Sequence, residues 1–191
     1  MEWLNKYELG DDFPIVIHEE LVEYFYRYLV VGGMPAVVNS YFNLGMKEVE
    51  REQQMILSTY SDDFPKYSTN VKSEYLQLLL KTIPMHIGQK LIYSKLDKTV
   101  KSNDLSRAYS VLEKARILYK VKHSPANGIP IGFDSLDAKF KPLFFDVGLV
   151  CRSMGLKLTD FIESQKPVLE NIGALGEQFV GQHILFSGEE Y

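Results

Sequence analysis

The chain has a single cysteine, Cys151, in 191 residues. That excludes an intrachain disulfide framework and suits a reducing compartment. Long apolar runs are also missing. The longest, Tyr28 to Val38, spans eleven residues and is broken by Gly32, Gly33 and Pro35, too short and too interrupted to cross a bilayer. The first residues are acidic (Glu2, Glu8, Asp11, Asp12) and lack the basic-then-apolar layout of a signal peptide, so the expected location is the cytoplasm.

The patterns of nucleotide and metal chemistry are absent too. The sequence holds no Gly-x-x-x-x-Gly-Lys-Ser/Thr and no Gly-x-Gly-x-x-Gly, and Gly32-Gly33 before Pro35 reads as a helix break. His18, His86, His123 and His183 are scattered, without zinc spacing. No serine or cysteine stands in a nucleophile elbow. Asp62-Asp63 reads as a solvated helix end in preference to a Mg²⁺ site. The residues therefore predict no cofactor, no metal and no enzyme activity, with ATP neither bound nor hydrolysed through a phosphate loop.

What is present is an ordinary globular composition, 46% apolar and 24% charged, rich in aromatics (12 Tyr, 11 Phe). The net charge of −4 is unevenly spread. From Gln89 to His123 nine Lys/Arg face three acids, a window of +6 that leaves −10 for the remainder. Helical spacing marks Glu19 to Val30, Pro35 to about Phe42 and Lys47 to Tyr60, and Ser61 to Pro65 is expected to break the last of these. A further helix is expected over Ser73–Lys81 and a strand or helical turn over Leu91–Leu96. A helix over Asp104–Ala115 follows, capped by Ser102 or Asn103, and then a basic strand at Ile117–Lys122. Pro125, Asn127, Gly128, Pro130 and Gly132 mark a loop over Ser124–Lys139, the best internal boundary. A short strand at Pro142–Asp146, a helical turn at Val147–Arg152 and a last helix at Ile172–Phe186 complete the reading. The fold class is mainly α with minor β.

In the middle third, helix, short element, helix and a basic strand follow the order of a winged helix-turn-helix. Its outward cations, Lys95, Lys101, Arg107, Lys114, Lys120 and Lys122, are the candidate DNA contacts. Protein docking is the alternative use of such a module.

Three stretches, taken in order, resemble one family: Tyr28-Leu29-Val30-Val31-Gly32-Gly33-Met34-Pro35, Ser110-Val111-Leu112-Glu113-Lys114-Ala115, and Phe145-Asp146-Val147-Gly148-Leu149 followed by Gly176-Glu177-Gln178-Phe179-Val180. Their order is similar to the C-terminal half of the predicted AAA-superfamily ATPases of bacteria and archaea, which ends in a domain of unknown function. The resemblance implies a three-part parent: a P-loop ATPase, then a winged-helix-like module, then an α/β region similar to PD-(D/E)xK nucleases. In this chain the expected division is a helical segment (1–70), the winged-helix-like module (71–125) and the start of the nuclease-like region (126–191). The resemblance implies that the parent's ATPase domain lies outside this chain. Glu177 matches the acid that opens the nuclease-like region, whose later Asp and Glu-x-Lys are expected beyond Tyr191. Without them Glu177 is expected to be a solvated or capping residue. The expected role is a non-catalytic interaction module, with three partners in view: DNA, another copy of the chain, and the parent ATPase domain. The alternatives are a protein–protein or oligomerisation module that regulates the ATPase, and part of a metal-dependent nuclease. Phe179, Val180, Ile184 and Leu185 are expected on one face of the last helix. That helix is expected either to fold back onto Phe144, Phe145 and Leu149 or to pair with its copy.

Overall fold

A computed structural model describes residues 14–67, 71–123, 136–162 and 169–187. The acids expected near the N-terminus and the loop signals from Pro125 to Gly132 lie outside these residues. The described chain is mostly helical with one small sheet. It runs α1 (Ile15–Val31), α2 (Pro35–Leu44), α3 (Met46–Asp63), α4 (Ser73–Thr82), α5 (Tyr93–Leu96), α6 (Ser102–Lys114), β1 (Leu118–His123), β2 (Leu136–Phe144), α7 (Val147–Ser153), α8 (Leu158–Ile162) and α9 (Leu169–Phe186).

Most elements fall where the hydrophobic spacing puts them, and the exceptions have local causes. Helix α3 runs through Ser61 and Asp62 to Asp63, because Phe64 just beyond is buried and keeps the chain coiling into a 3₁₀ turn that accepts Pro65. Helix α6 begins at Ser102 with Lys101 at the cap position, and neither Ser102 nor Asn103 caps it by a side chain. Strand β2 starts six residues earlier than expected, at Leu136, since pairing with β1 recruits residues that look like loop.

A continuous buried cluster draws on most elements, among them Leu29 of α1, Leu76 and Leu79 of α4, Tyr109 and Leu112 of α6, Leu118 and Phe144 of the sheet, Leu149 of α7 and Leu175 of α9, while Val31, Val37 and Val49 form a second, small cluster where α2 and α3 pack. Two polar devices fix its geometry. The first joins the turn after α1 to the start of α7. Asp146 is 2% exposed; its Oδ2 accepts from the Gly33 amide at 2.7 Å and its Oδ1 from the Leu149 amide at 3.0 Å. It thus caps α7 and ties that helix to a turn 113 residues earlier. Glycines make the approach possible. Gly32 has φ +76, and a Cβ there would sit 2.3 Å from Asp146 Oδ1. A Cβ on Gly148 would lie 2.5 Å from the Val31 carbonyl oxygen. The same joint is served from behind by the buried Gln53, whose Nε2 donates to the otherwise unpaired carbonyls of Val30 (2.7 Å) and Val31 (3.2 Å) at the end of α1.

The second device folds α9 back onto the sheet and α7. Gln178 Oε1 accepts from the Phe144 amide at 2.9 Å and its Nε2 donates to the Phe144 carbonyl at 2.6 Å, so one side chain acts as a strand neighbour. One turn on, Gln182 Oε1 accepts from the Val147 amide at 2.9 Å. Phe179 packs edge-on against Phe25 and Tyr28. Of the four apolar residues expected on one face, Phe179 therefore turns inward, while Val180, Ile184 and Leu185 stay exposed.

Burial pushes the Asp146 carboxyl above the usual carboxylate range, against the opposing pull of amides from Gly33, Leu149 and Gly148. With the folded value above the unfolded one, its contribution to stability is fullest in acid and erodes as pH rises through the folded value. Asp146→Ala removes the acceptor of the buried Leu149 amide and of the part-buried Gly33 amide and is expected to cost about 2–4 kcal/mol in chemical denaturation. The stability gap between wild type and Asp146→Asn is expected to narrow from pH 4 to pH 7. A gap that widens would contradict this account of the group.

Candidate nucleic-acid interface

Helix α6 turns Leu105, Ala108, Tyr109 and Leu112 into the core. That repeat leaves Asn103, Arg107 and Lys114 on the outer face, with Ser110 half-buried among them. Seven residues separate Arg107 from Lys114, a rise of about 10 Å along the helix. The back of the helix is pinned by Tyr109, whose hydroxyl donates to the Tyr119 carbonyl at 2.8 Å. Burial raises the Tyr109 hydroxyl far above its ordinary value and keeps it a donor. Arg107 lines a hollow of about 290 Å³ with Val71, Lys72, Tyr75 and Asp104. Lys101 and Lys95 are exposed, the one just before α6 and the other on α5.

Lys120 does not belong with these. In the register Lys120 lies opposite Pro142, and Leu118 lies opposite Phe144. Both therefore share the sheet face that meets α6. The Lys120 ammonium pairs with Glu113 at 2.7 Å and sits over the rings of Tyr109 (5.2 Å) and Phe140 (5.4 Å), with only 20% of the side chain exposed. The expectation of a solvent-facing Lys120 is overturned by this register. The structure makes it a cation that joins sheet to helix.

Lys122 and Glu177 come together at a groove of about 440 Å³ between the hairpin and α9, lined by Lys90, Val121, Lys122, His123, Phe140, Lys141 and Glu177. Both carboxylate oxygens of Glu177 accept from Lys141, at 2.6 and 2.9 Å. Lys141 lies outside the basic window of the sequence, past the loop that ends it. The alternation Phe140-Lys141 was its only signal, and the pairing Val121–Lys141 is what carries it back to the basic end of β1. Among the described residues no three His, Cys, Asp or Glu gather as metal ligands. The Cys151 thiol is buried and pushed up to about 12 by desolvation, which leaves it unsuited to nucleophilic attack near neutrality. No helix among the described residues is long and apolar enough to cross a membrane.

Residues 22–160 match the model of a family described as a domain of unknown function, DUF8612, and the chain belongs to that family. No curated protein and no solved structure matches it. The matched span contains the Gly32-Gly33 turn, Asp146, all of α6 and the hairpin. Glu177, Gln178 and Gln182 fall outside it.

Proposed function

We propose that the chain is a non-catalytic interaction module that contacts the DNA backbone through the outer face of α6. The observation that carries the reading is the exposed pair Arg107 and Lys114. These cations stand about 10 Å apart on a helix locked from behind, a spacing comparable to the roughly 12 Å width of the major groove whose phosphates they would reach. The order α4, α5, α6, β1, β2 supports a winged-helix module, with Lys101 and Lys95 as flanking phosphate contacts. Lys120 is left out of the interface and serves the fold. The resemblance to the C-terminal region of predicted AAA-superfamily ATPases supports a module that acts on behalf of an ATPase domain and in a cytoplasmic setting.

A second reading is favoured by one surface. Val180, Ile184, Leu185 and Phe186 of α9 are each 41–57% exposed, an apolar stripe suited to pairing with another copy or with a parent domain. Light scattering across a wide concentration range that reports an unchanging monomer would remove self-association through this stripe.

The DNA reading predicts weak, sequence-tolerant binding to a duplex, with affinity falling steeply as salt rises. Arg107→Glu with Lys114→Glu is expected to abolish that binding and leave the melting temperature nearly unchanged, since both side chains are exposed. Lys120→Glu is the control: it sets a second carboxylate beside Glu113 and loses the ring contacts, costing on the order of 1–2 kcal/mol of stability. Duplex binding by the double variant equal to that of wild type would overturn the assignment of α6.

A further inference from the structure

We propose that the hollow between α3, α4 and the end of α7 binds the carboxylate of a small ligand with an apolar body, through Arg152 and Lys81. The site shares no residue with the outer face of α6 and does not depend on it. Its volume is about 470 Å³, within the range of small-molecule sites. Two cations reach it from different helices, Lys81 from the last turn of α4 and Arg152 from the last turn of α7. Among the described residues that line it there is no carboxylate. Lys81 is exposed and takes part in no ion pair with a described residue. Arg152 is held loosely. Its guanidinium, 29% exposed, reaches a Glu50 oxygen at 3.4 Å and the Gln54 carboxamide oxygen at 3.5 Å. Both contacts are longer than the roughly 2.7–2.9 Å of a closed charge-assisted pair, so five N–H donors meet two distant acceptors.

The neighbours of the two cations select the ligand. Glu50 lines the adjoining hollow and not this one. Counted against Arg152, it leaves Lys81 as the one unmatched cation, which suits a single carboxylate better than a phosphate dianion. A planar guanidinium takes the two oxygens of a carboxylate at once. The Ser58 and Ser61 hydroxyls stand one turn apart on α3 in the same wall, and Ser58 accepts from Gln54 at 3.4 Å, which leaves its own proton to donate. Leu57 and Leu80 put apolar carbon beside them, a surface that a bare inorganic anion would leave unused. Such a carboxylate has two chemical sources, a free aliphatic acid or the C-terminus of a peptide.

The full chain is titrated with isovalerate and, separately, with N-acetyl-glycyl-leucine, and the amide shifts of Ser61, Lys81 and Ser153 are followed by NMR. Lys81→Gln with Arg152→Gln is expected to weaken binding about tenfold or more. Lys81→Gln alone, at an exposed position, is expected to weaken it about threefold to fivefold and decides the matter should the double variant lose its fold. Glu50→Gln frees Arg152 from its competing carboxylate and is expected to tighten binding up to about fivefold. Arg51→Gln, in the adjoining hollow, and Arg107→Glu with Lys114→Glu, on α6, are expected to leave it unchanged. If the variant pattern appears with isovalerate, the ligand is a free acid; if with the peptide alone, it is a peptide C-terminus. The proposal is overturned if neither probe shifts these amides, or if Glu50→Gln weakens binding. It is equally overturned if the amidated peptide binds as well as the acid, or if inorganic phosphate binds more tightly than both probes.

Discussion

The buried carboxylate of Asp146 is the constraint from which the rest of the fold follows. Two backbone segments that share no secondary structure meet there, and the carboxylate accepts from an amide of each, the buried one of Leu149 and the part-buried one of Gly33. The Gly32-Gly33 turn lends the Gly33 amide, the start of α7 lends the Leu149 amide, and Gln182 takes the Val147 amide beside them. The glycines are consequences of this arrangement. A methyl at Gly32 would overlap the carboxylate, and one at Gly148 would overlap the Val31 carbonyl. The motif pair that supports the family resemblance is thus a structural joint, and nothing in its geometry requires a ligand.

The hairpin is fixed with similar economy. The outer edge of β2 is occupied at points between Phe140 and Phe144: the Phe140 carbonyl accepts from the Leu91 amide, Pro142 has no amide to satisfy, and Gln178 fills both groups of Phe144. With Lys120 drawn into the interface with α6, two other groups of cations stand out at the surface. One is the ridge of Arg107 and Lys114. The other is the groove of Lys90, Lys122 and Lys141 beside α9.

Local periodicity made the helices legible. The residues Leu105, Ala108, Tyr109 and Leu112 define the buried side of α6, and they do so in any tertiary setting. What stayed hidden depended on pairing across distance. The inward turn of Lys120 follows from its register opposite Pro142, and the arrival of Lys141 at the groove follows from its register opposite Val121. Glu177 reads in the sequence as a lone acid on a helix, and the structure pairs it with Lys141. The capping role of Asp146 is half visible, since Asp before a helical run is a familiar signal. Its bond to Gly33 is not, because no local rule links residues 113 apart.

If Asp146 is the joint described, its partners cannot open on their own. Native-state hydrogen exchange measures this most directly. The amides of Gly33 and Leu149 are expected to exchange only through global unfolding, with the same free energy as buried amides of α6. In Asp146→Ala the Gly33 amide is expected to lose that protection and exchange by local opening. A Gly33 amide that exchanges locally in the wild-type chain, or that keeps its protection without Asp146, would contradict the account.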